Sequence, residues 1–354
     1  MYDIAIIGGG PAGATLARLA GEKYKILLLD KRELLNDHKA SFEKSCGGLI
    51  APDAQYMLAR LGLGVPQKVL GGPQLFTVRT IDLQQNLERY YQRHYLNIDR
   101  RKFDSWLISI LPPAVDIRCG ASFRKYTSEE GSFKIYFRTN GQEYVERAKY
   151  LIGADGANST VRRQLRPNLV QRTYISIQEW FPAKNAQPYF SAIFDHETSD
   201  FYSWIIPKED SLILGATMSP RENTTRKFDC LKKRLKKYGF ELNDSIKRNG
   251  AFILRPGSPA QIFLGQDKIA LIGEAAGWIS PTSAEGFSYA FRSALALAKS
   301  LLQDPDGLLH EYSRSTVDLK MNILMKNFKS PFMYNAFLRK LIMRSGFLSM
   351  DIEK

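Results

Sequence analysis

Cysteine is scarce, with three in 354 residues, at positions 46, 119 and 230. That is too few, and too scattered, for a disulfide framework or a zinc cluster. Histidine is nearly as scarce, and its four scattered copies add no metal-binding spacing. No metal is expected, and the thiols point to a reducing compartment, the cytoplasm. No apolar run approaches the roughly 18 residues that suggest a spanning helix. The N-terminus lacks a basic region and its apolar stretch is broken by glycines, so it does not read as a signal peptide. Acid is also in short supply: 36 Asp and Glu face 50 Lys and Arg, a net charge of +14. Such a balance suits an anionic membrane surface, nucleic acid or an anionic cofactor. The chain is not starved of apolar residues, at 44%, which excludes a disordered polymer and allows a sizeable core.

What the sequence does have begins at once. Asp3 to Ile7 reads as a short buried strand, followed by Gly8-Gly9-Gly10-Pro11-Ala12-Gly13 and a helical pattern to Ala20. Lys25 to Asp30 then reads as a second buried strand ending in an acid. Strand, glycines, helix, strand and acid follow the order of a dinucleotide-binding unit. Gly8 permits the tight turn, Gly10 lets amides approach a pyrophosphate, and Gly13 lets the helix pack on the strand. The helix start, with Pro11 and Ala12 in its first turn, offers unpaired N–H groups and partial positive charge. Asp30 is placed to accept hydrogen bonds from the adenosine ribose, with Lys31 beside it.

Two more motifs lie far downstream. Tyr150 to Gly153 is an apolar strand that runs into Asp155-Gly156 and a helix start near Arg162. Ile269 to Ile272 is another strand, closing in Gly273-Glu274-Ala275-Ala276-Gly277 and leading to Pro281 and Ala284-Glu285-Gly286-Phe287. A glycine-rich start, a central Asp-Gly motif and a late Gly-Asp-type motif resemble FAD proteins with the p-hydroxybenzoate hydroxylase fold. The resemblance spans residues 1 to about 300. Within that superfamily the chain is most similar to geranylgeranyl reductase-family flavoproteins, in particular their CbrA-like branch. Lys44-Ser45-Cys46-Gly47-Gly48 matches a Cys-Gly-Gly turn. Arg100 to Asp104 matches an Arg…Phe-Asp helix start. Tyr202-Ser203-Trp204-Ile205-Ile206-Pro207-Lys208 matches a Tyr-x-Trp-x-x-Pro-Lys segment.

The resemblance implies an α/β fold. A Rossmann-like FAD-binding domain of the p-hydroxybenzoate hydroxylase type is joined by a second, mostly antiparallel β-sheet substrate domain and a helical C-terminal tail. The flavin domain is expected from residues 1–75, 96–165 and 263–310, and the substrate domain from 76–95 and 166–262, with the tail at 311–354. FAD is implied at Gly8, Gly10, Pro11, Ala12, Gly13, Asp30 and Lys31. The Cys46, Gly47 and Gly48 turn, Arg100, Asp155 and Gly156 are implied beside it. Gly273, Glu274, Gly277, Pro281, Glu285 and Gly286 complete the set. Glu274 stands where the family has Asp, which puts its direct contact with the cofactor in question. Tyr202 and Trp204 are candidates for the substrate cavity, or for ordinary sheet core.

The remaining patterns are local. Thr139-Asn140-Gly141-Gln142 between two strand-like runs is a hairpin signal. Phe228, Leu231, Leu235 and Tyr238 sit at helical spacing among five basic residues, which reads as a solvated helix over the sheet, and no nucleic-acid partner is expected. The tail is basic and aromatic, and Ser330-Pro331 is expected to break it into two helices. It either packs on the flavin domain or lies against an anionic membrane.

Flavin would carry the chemistry, so the sequence question is what meets the reduced cofactor. Gly277 replaces the His usual in aromatic hydroxylases, and Ala284-Glu285-Gly286-Phe287 replaces their Gly-x-Gly-x-Asn. These features favour reduction of a C=C bond in a hydrophobic, isoprenoid or lipid-like substrate. Each buried CH₂ of such a tail contributes about 0.8 kcal/mol. Cys46 is the candidate proton donor, or else a small residue suited to its turn. A monooxygenase acting on an aromatic or polyketide substrate, and a flavin-binding interaction or stress-resistance protein with little turnover, are the alternatives. The electron donor, NAD(P)H or a ferredoxin-like protein, and the oligomeric state are not legible.

Overall fold

A computed structural model describes residues 1–35, 45–183, 186–221 and 223–353. Lys44 of the Cys-Gly-Gly motif lies outside them. Two eight-stranded sheets organise these residues. In the first, Ile269–Leu271, Gln142–Gly153, Tyr2–Ile7, Ile26–Asp30 and Asp116–Cys119 run side by side, all parallel. Such strands are covered on both faces, which is why they read as unbroken apolar runs. Every residue of Ile26–Asp30 is buried. The helices Pro11–Ala20 and Phe287–Gln303 pack together against the sheet through Leu16, Ala17, Ala294 and Leu297. An antiparallel meander of Ser122–Glu129 and Ser132–Thr139 attaches to the arm of Gln142–Gly153. Its hairpin turn puts Asn140 at φ 50° and Gly141 at φ 86°, as the Asn-Gly pair demands.

The second sheet runs in the order Lys247–Leu254, Thr173–Pro182, Ser211–Met218, Ser203–Lys208, Tyr189–Phe194, Leu75–Asp82, Leu87–Asn97 and Leu49–Ile50. All its pairs are antiparallel except Tyr189–Phe194 with Leu75–Asp82. The helix Thr224–Leu235 lays Phe228, Leu231 and Leu235 on one face of this sheet. Its basic residues do not form a free patch. Lys232 pairs with the buried Glu179 at 3.0 Å, and Arg234 with the buried Asp195 at 2.8 Å.

The C-terminal break is not where proline suggested. The helix Val317–Tyr334 runs through Pro331, which falls in its last turn. Asn335 ends it: its backbone is extended, and its side-chain oxygen accepts from the amides of Phe337 and Leu338 to start the helix Ala336–Ser345. The side-chain cap sets the boundary, because a proline in a final turn removes only one hydrogen bond. The second of these helices is anchored by Arg339, whose Nε donates to Asp82 at 2.7 Å with both groups buried.

Candidate flavin site

The three glycine-bearing motifs meet at the carboxyl ends of the parallel strands. Gly8 stands at φ 108°, and a Cβ there would lie 2.5 Å from the Ala154 carbonyl oxygen. Ala154 in turn donates its amide to Ile7 at 2.8 Å. A Cβ on Gly13 would sit 1.9 Å from the Gly8 oxygen, so the helix approaches the strand as closely as backbone allows. Gly273, at φ 56°, faces Ala12, where an added Cβ would come within 2.9 Å. Arg162 ties the second motif to the third, donating to the carbonyls of Ala275, at 2.6 Å, and Ala157.

The helix start is open toward ligand. Gly10 is its N-cap and supplies no side-chain cap. The amides of Ala12 and Gly13 have no acceptor among the described residues. An addition at Gly10 would meet nothing nearer than Arg32 at 3.9 Å. Asp155 accepts from the first amide of the helix Thr160–Leu165, that of Thr160, at 2.7 Å beside the N-cap Ser159, while its buried Oδ1 has no hydrogen-bond partner among the described residues. Burial pushes the Asp155 carboxyl upward. Gly156 has open space around it, at φ 79°.

Arg32, the side chain nearest Gly10, also lines a cleft of about 230 Å³, together with Cys46, Gly48, Arg100, Asp104 and Lys208 among others. Its floor is an ionic network. Asp104, fully buried, receives Arg32 Nη1 at 2.6 Å and Arg100 Nε at 2.9 Å. Burial raises the Asp104 carboxyl, and the two guanidiniums outweigh it, leaving it below the usual carboxylate range. Arg32 also binds Asp30 at 2.8 Å, and Asp30 receives the Gly9 amide at 2.7 Å. The ribose acceptor read from the sequence therefore already carries protein donors on both oxygens. Lys31 is exposed, and Arg32, the next residue, takes the inward position. Arg100 lies 4.7 Å over the Phe287 ring.

The Cys46 turn is held from two sides. A Cβ on Gly47 would meet Ile206 at 2.4 Å, and Gly48 has φ 62° with the Ile98 oxygen 2.4 Å from its missing Cβ. The Gly48 amide approaches Cys46 Sγ at 3.5 Å. Lys208 reaches across to the Ile98 oxygen at 2.8 Å, the Gly48 oxygen at 3.3 Å and Asn97 Oδ1. Three carbonyl-type acceptors hold its ammonium, yet burial lowers its pKa to about 8.

The loop after the third motif is clamped at three successive carbonyls. Arg255 Nε donates to Pro281 at 3.1 Å, Tyr334 to Thr282 at 2.5 Å and Tyr202 to Ser283 at 2.8 Å. Glu285 caps the following helix by accepting from the amide and hydroxyl of Ser288 at 2.7 and 2.6 Å. Gly286 is the N-cap of that helix, and Gly277 turns at φ 96°. Glu274 accepts from the Leu254 amide at 3.1 Å, so it joins the third motif to the second sheet.

Tyr202 and Trp204 do not line the cleft. Trp204 is buried against Gly215 and packs with Leu75, Phe190 and Ile206, and among the described residues its indole N–H has no acceptor. The inward Arg32 and the loop clamps Arg255 and Tyr334 did not stand out in the sequence. Asp104 and Lys208 were visible only as members of longer motifs.

Comparison with known proteins is consistent with this geometry. Residues 1–237 match the family described as FAD binding domain. The chain belongs to that flavoprotein family. It is 41% identical over 345 residues to Protein CbrA of Escherichia coli K12, covering 98% of this chain and 97% of that one. A geranylgeranyl bacteriochlorophyll reductase-like protein from Thermoplasma acidophilum shares the fold, with a TM-score of 0.81 at 19% identity, over 96% of this chain and 90% of that one. So does PqsL, a probable FAD-dependent monooxygenase from Pseudomonas aeruginosa, at 0.69 and 16%, over 98% and 99%. The α/β fold with two sheets and a helical C-terminal region is thus that of FAD-dependent oxidoreductases and monooxygenases.

The uncapped helix start, the adjacent guanidiniums and the room at Gly10 fit a pyrophosphate. Gly10→Val should fold with unchanged thermal stability but fill the phosphate approach, weakening FAD binding at least tenfold, about 1.4 kcal/mol. Flavin absorbance of the purified protein checks this; a full flavin complement would contradict it. Lys208 yields a pH test. Its folded pKa near 8 lies below the ordinary 10.5, so the unfolded chain binds that proton more tightly. The group costs stability below pH 8, and the cost fades between pH 8 and 10.5. Wild-type stability relative to Lys208→Met should rise by about 2–3 kcal/mol from neutral pH to pH 10. Urea unfolding at several pH values measures it, and a flat difference would contradict the burial of a charged ammonium.

Proposed function

We propose that the protein is an FAD-dependent reductase that saturates a C=C bond in a hydrophobic, isoprenoid or lipid-like substrate. The observation that carries this reading is the Cys46-Gly47-Gly48 turn, held by Lys208 and lining a cleft together with Arg100. Bound FAD in its reduced form supplies a hydride. Addition across a double bond places that hydride on one carbon and needs a proton on the other. Cys46 is the donor assigned here, with Lys208 holding its turn in place. The amides of Ala12 and Gly13 would hold the pyrophosphate of bound FAD, with Arg100 as a nearby partner for its charge. Pro281 to Ser283, fixed by their three clamps, would wall the bound cofactor. Either NAD(P)H or a ferredoxin-like protein supplies the electrons.

A monooxygenase reading is favoured by one observation, the shared fold with PqsL along the whole chain. Oxygen separates the two. The chemically reduced protein is mixed with a total lipid extract, with and without air, and products are weighed by mass spectrometry. A lipid that gains two hydrogens without air is the expected result. Cys46→Ser should retain FAD and slow that reaction at least tenfold. A product that gains one oxygen, only in air, would overturn the reductase reading.

A further inference from the structure

We propose that the outer face of the two C-terminal helices docks on an anionic lipid bilayer. In the helix Val317–Tyr334 the inner face is apolar, as a soluble protein requires: Leu319 and Ile323 are fully buried. The outer face is apolar as well. Val317, Met321, Leu324, Phe328 and Phe332 recur every three or four residues and are all exposed, Phe328 to 73%. Phe337 and Leu341 continue the exposure on the helix Ala336–Ser345, and Phe347 and Leu348 follow it. A helix apolar on both faces wants a partner on each, and the described residues supply only one.

Charge identifies the second partner. From Leu319 to Met350 the sequence has six Lys or Arg and no acid. Arg339 is spent on Asp82, but Lys329 and Arg344 are exposed and Lys320 and Lys340 half-exposed around the apolar stripe. An apolar strip edged by cations matches acyl chains edged by phosphates. A spanning role is excluded for the described residues, since no helix is long and apolar enough to cross a membrane. The face also lies next to the site. Tyr334, at the end of the first helix, clamps the Thr282 carbonyl beside the flavin loop. Docking would therefore set that loop close to the bilayer from which a lipid could be drawn.

The test is flotation of the full-length, FAD-loaded protein with vesicles, and it needs no turnover, so it stands or falls apart from the reductase reading. Vesicles of phosphatidylethanolamine and phosphatidylglycerol should bind at least tenfold more protein than vesicles of phosphatidylcholine, and high salt should reduce the difference. The Phe328→Ser, Phe337→Ser double variant should lose at least tenfold in binding while keeping its flavin and circular dichroism. Val145→Ser, which removes an exposed apolar group from the meander, should bind as wild type does. No binding to the anionic vesicles, or binding that the double variant retains, would overturn the proposal. So would a dimer in light scattering that the double variant dissolves, because the face would then be a self-association surface.

Discussion

The contact between the Gly8 carbonyl and the Cα of Gly13 is the constraint on which the rest of the molecule depends. No side chain fits there, since a Cβ would lie 1.9 Å from the oxygen. The first helix is thereby pressed against the first strand, with its amino end directed at the carboxyl edge of the sheet. Its N-cap is a glycine, and among the described residues no group accepts from the amides of Ala12 and Gly13. Backbone groups and a helix dipole do the work there, which is why the motif tolerates little at its glycines and much elsewhere.

Around that point the fold uses side chains to make a fixed surface from distant segments. Arg162 joins the second and third motifs, and the Asp30–Arg32–Asp104–Arg100 network joins the second strand to the helix Arg100–Ser109. The network balances two acids with two guanidiniums, which lets charge persist where solvent is scarce. The loop at Pro281 to Ser283 is fixed by donors beside two strands of the second sheet, Tyr202 and Arg255, and by Tyr334 at the end of a C-terminal helix. A flavin ring needs such walls, because the protein contributes position and electrostatics while the cofactor contributes the reaction.

Much of this was legible in the sequence where the cause is local. The glycine turn, the Asn-Gly hairpin and the buried strands are set by backbone sterics and apolar runs, and all appear where they were read. The helix over the second sheet followed from the spacing of Phe228, Leu231 and Leu235. Tertiary causes were not legible. Nothing near Arg32 says that it, rather than Lys31, turns inward, because its partner Asp104 is 72 residues away. Arg255 and Tyr334 gain their roles from carbonyls 26 and 52 residues off. Trp204 sat in a recognisable motif, but its packing over Gly215, a residue eleven positions on, shows only in the folded chain. Pro331 misled because its effect depends on where in a helix it falls, and Asn335 proved the stronger signal.

The central claim is that one cradle at the Gly8–Gly13 turn sets the cofactor, and with it the Cys46 turn, at a single reaction site. A crystal structure of the FAD-bound protein tests this most directly. The pyrophosphate should lie within hydrogen-bond reach of the Ala12 and Gly13 amides, with the isoalloxazine ring between the Cys46-Gly47-Gly48 turn and the Pro281–Ser283 loop. A pyrophosphate seated away from the first helix, or a ring that leaves Cys46 remote, would contradict it.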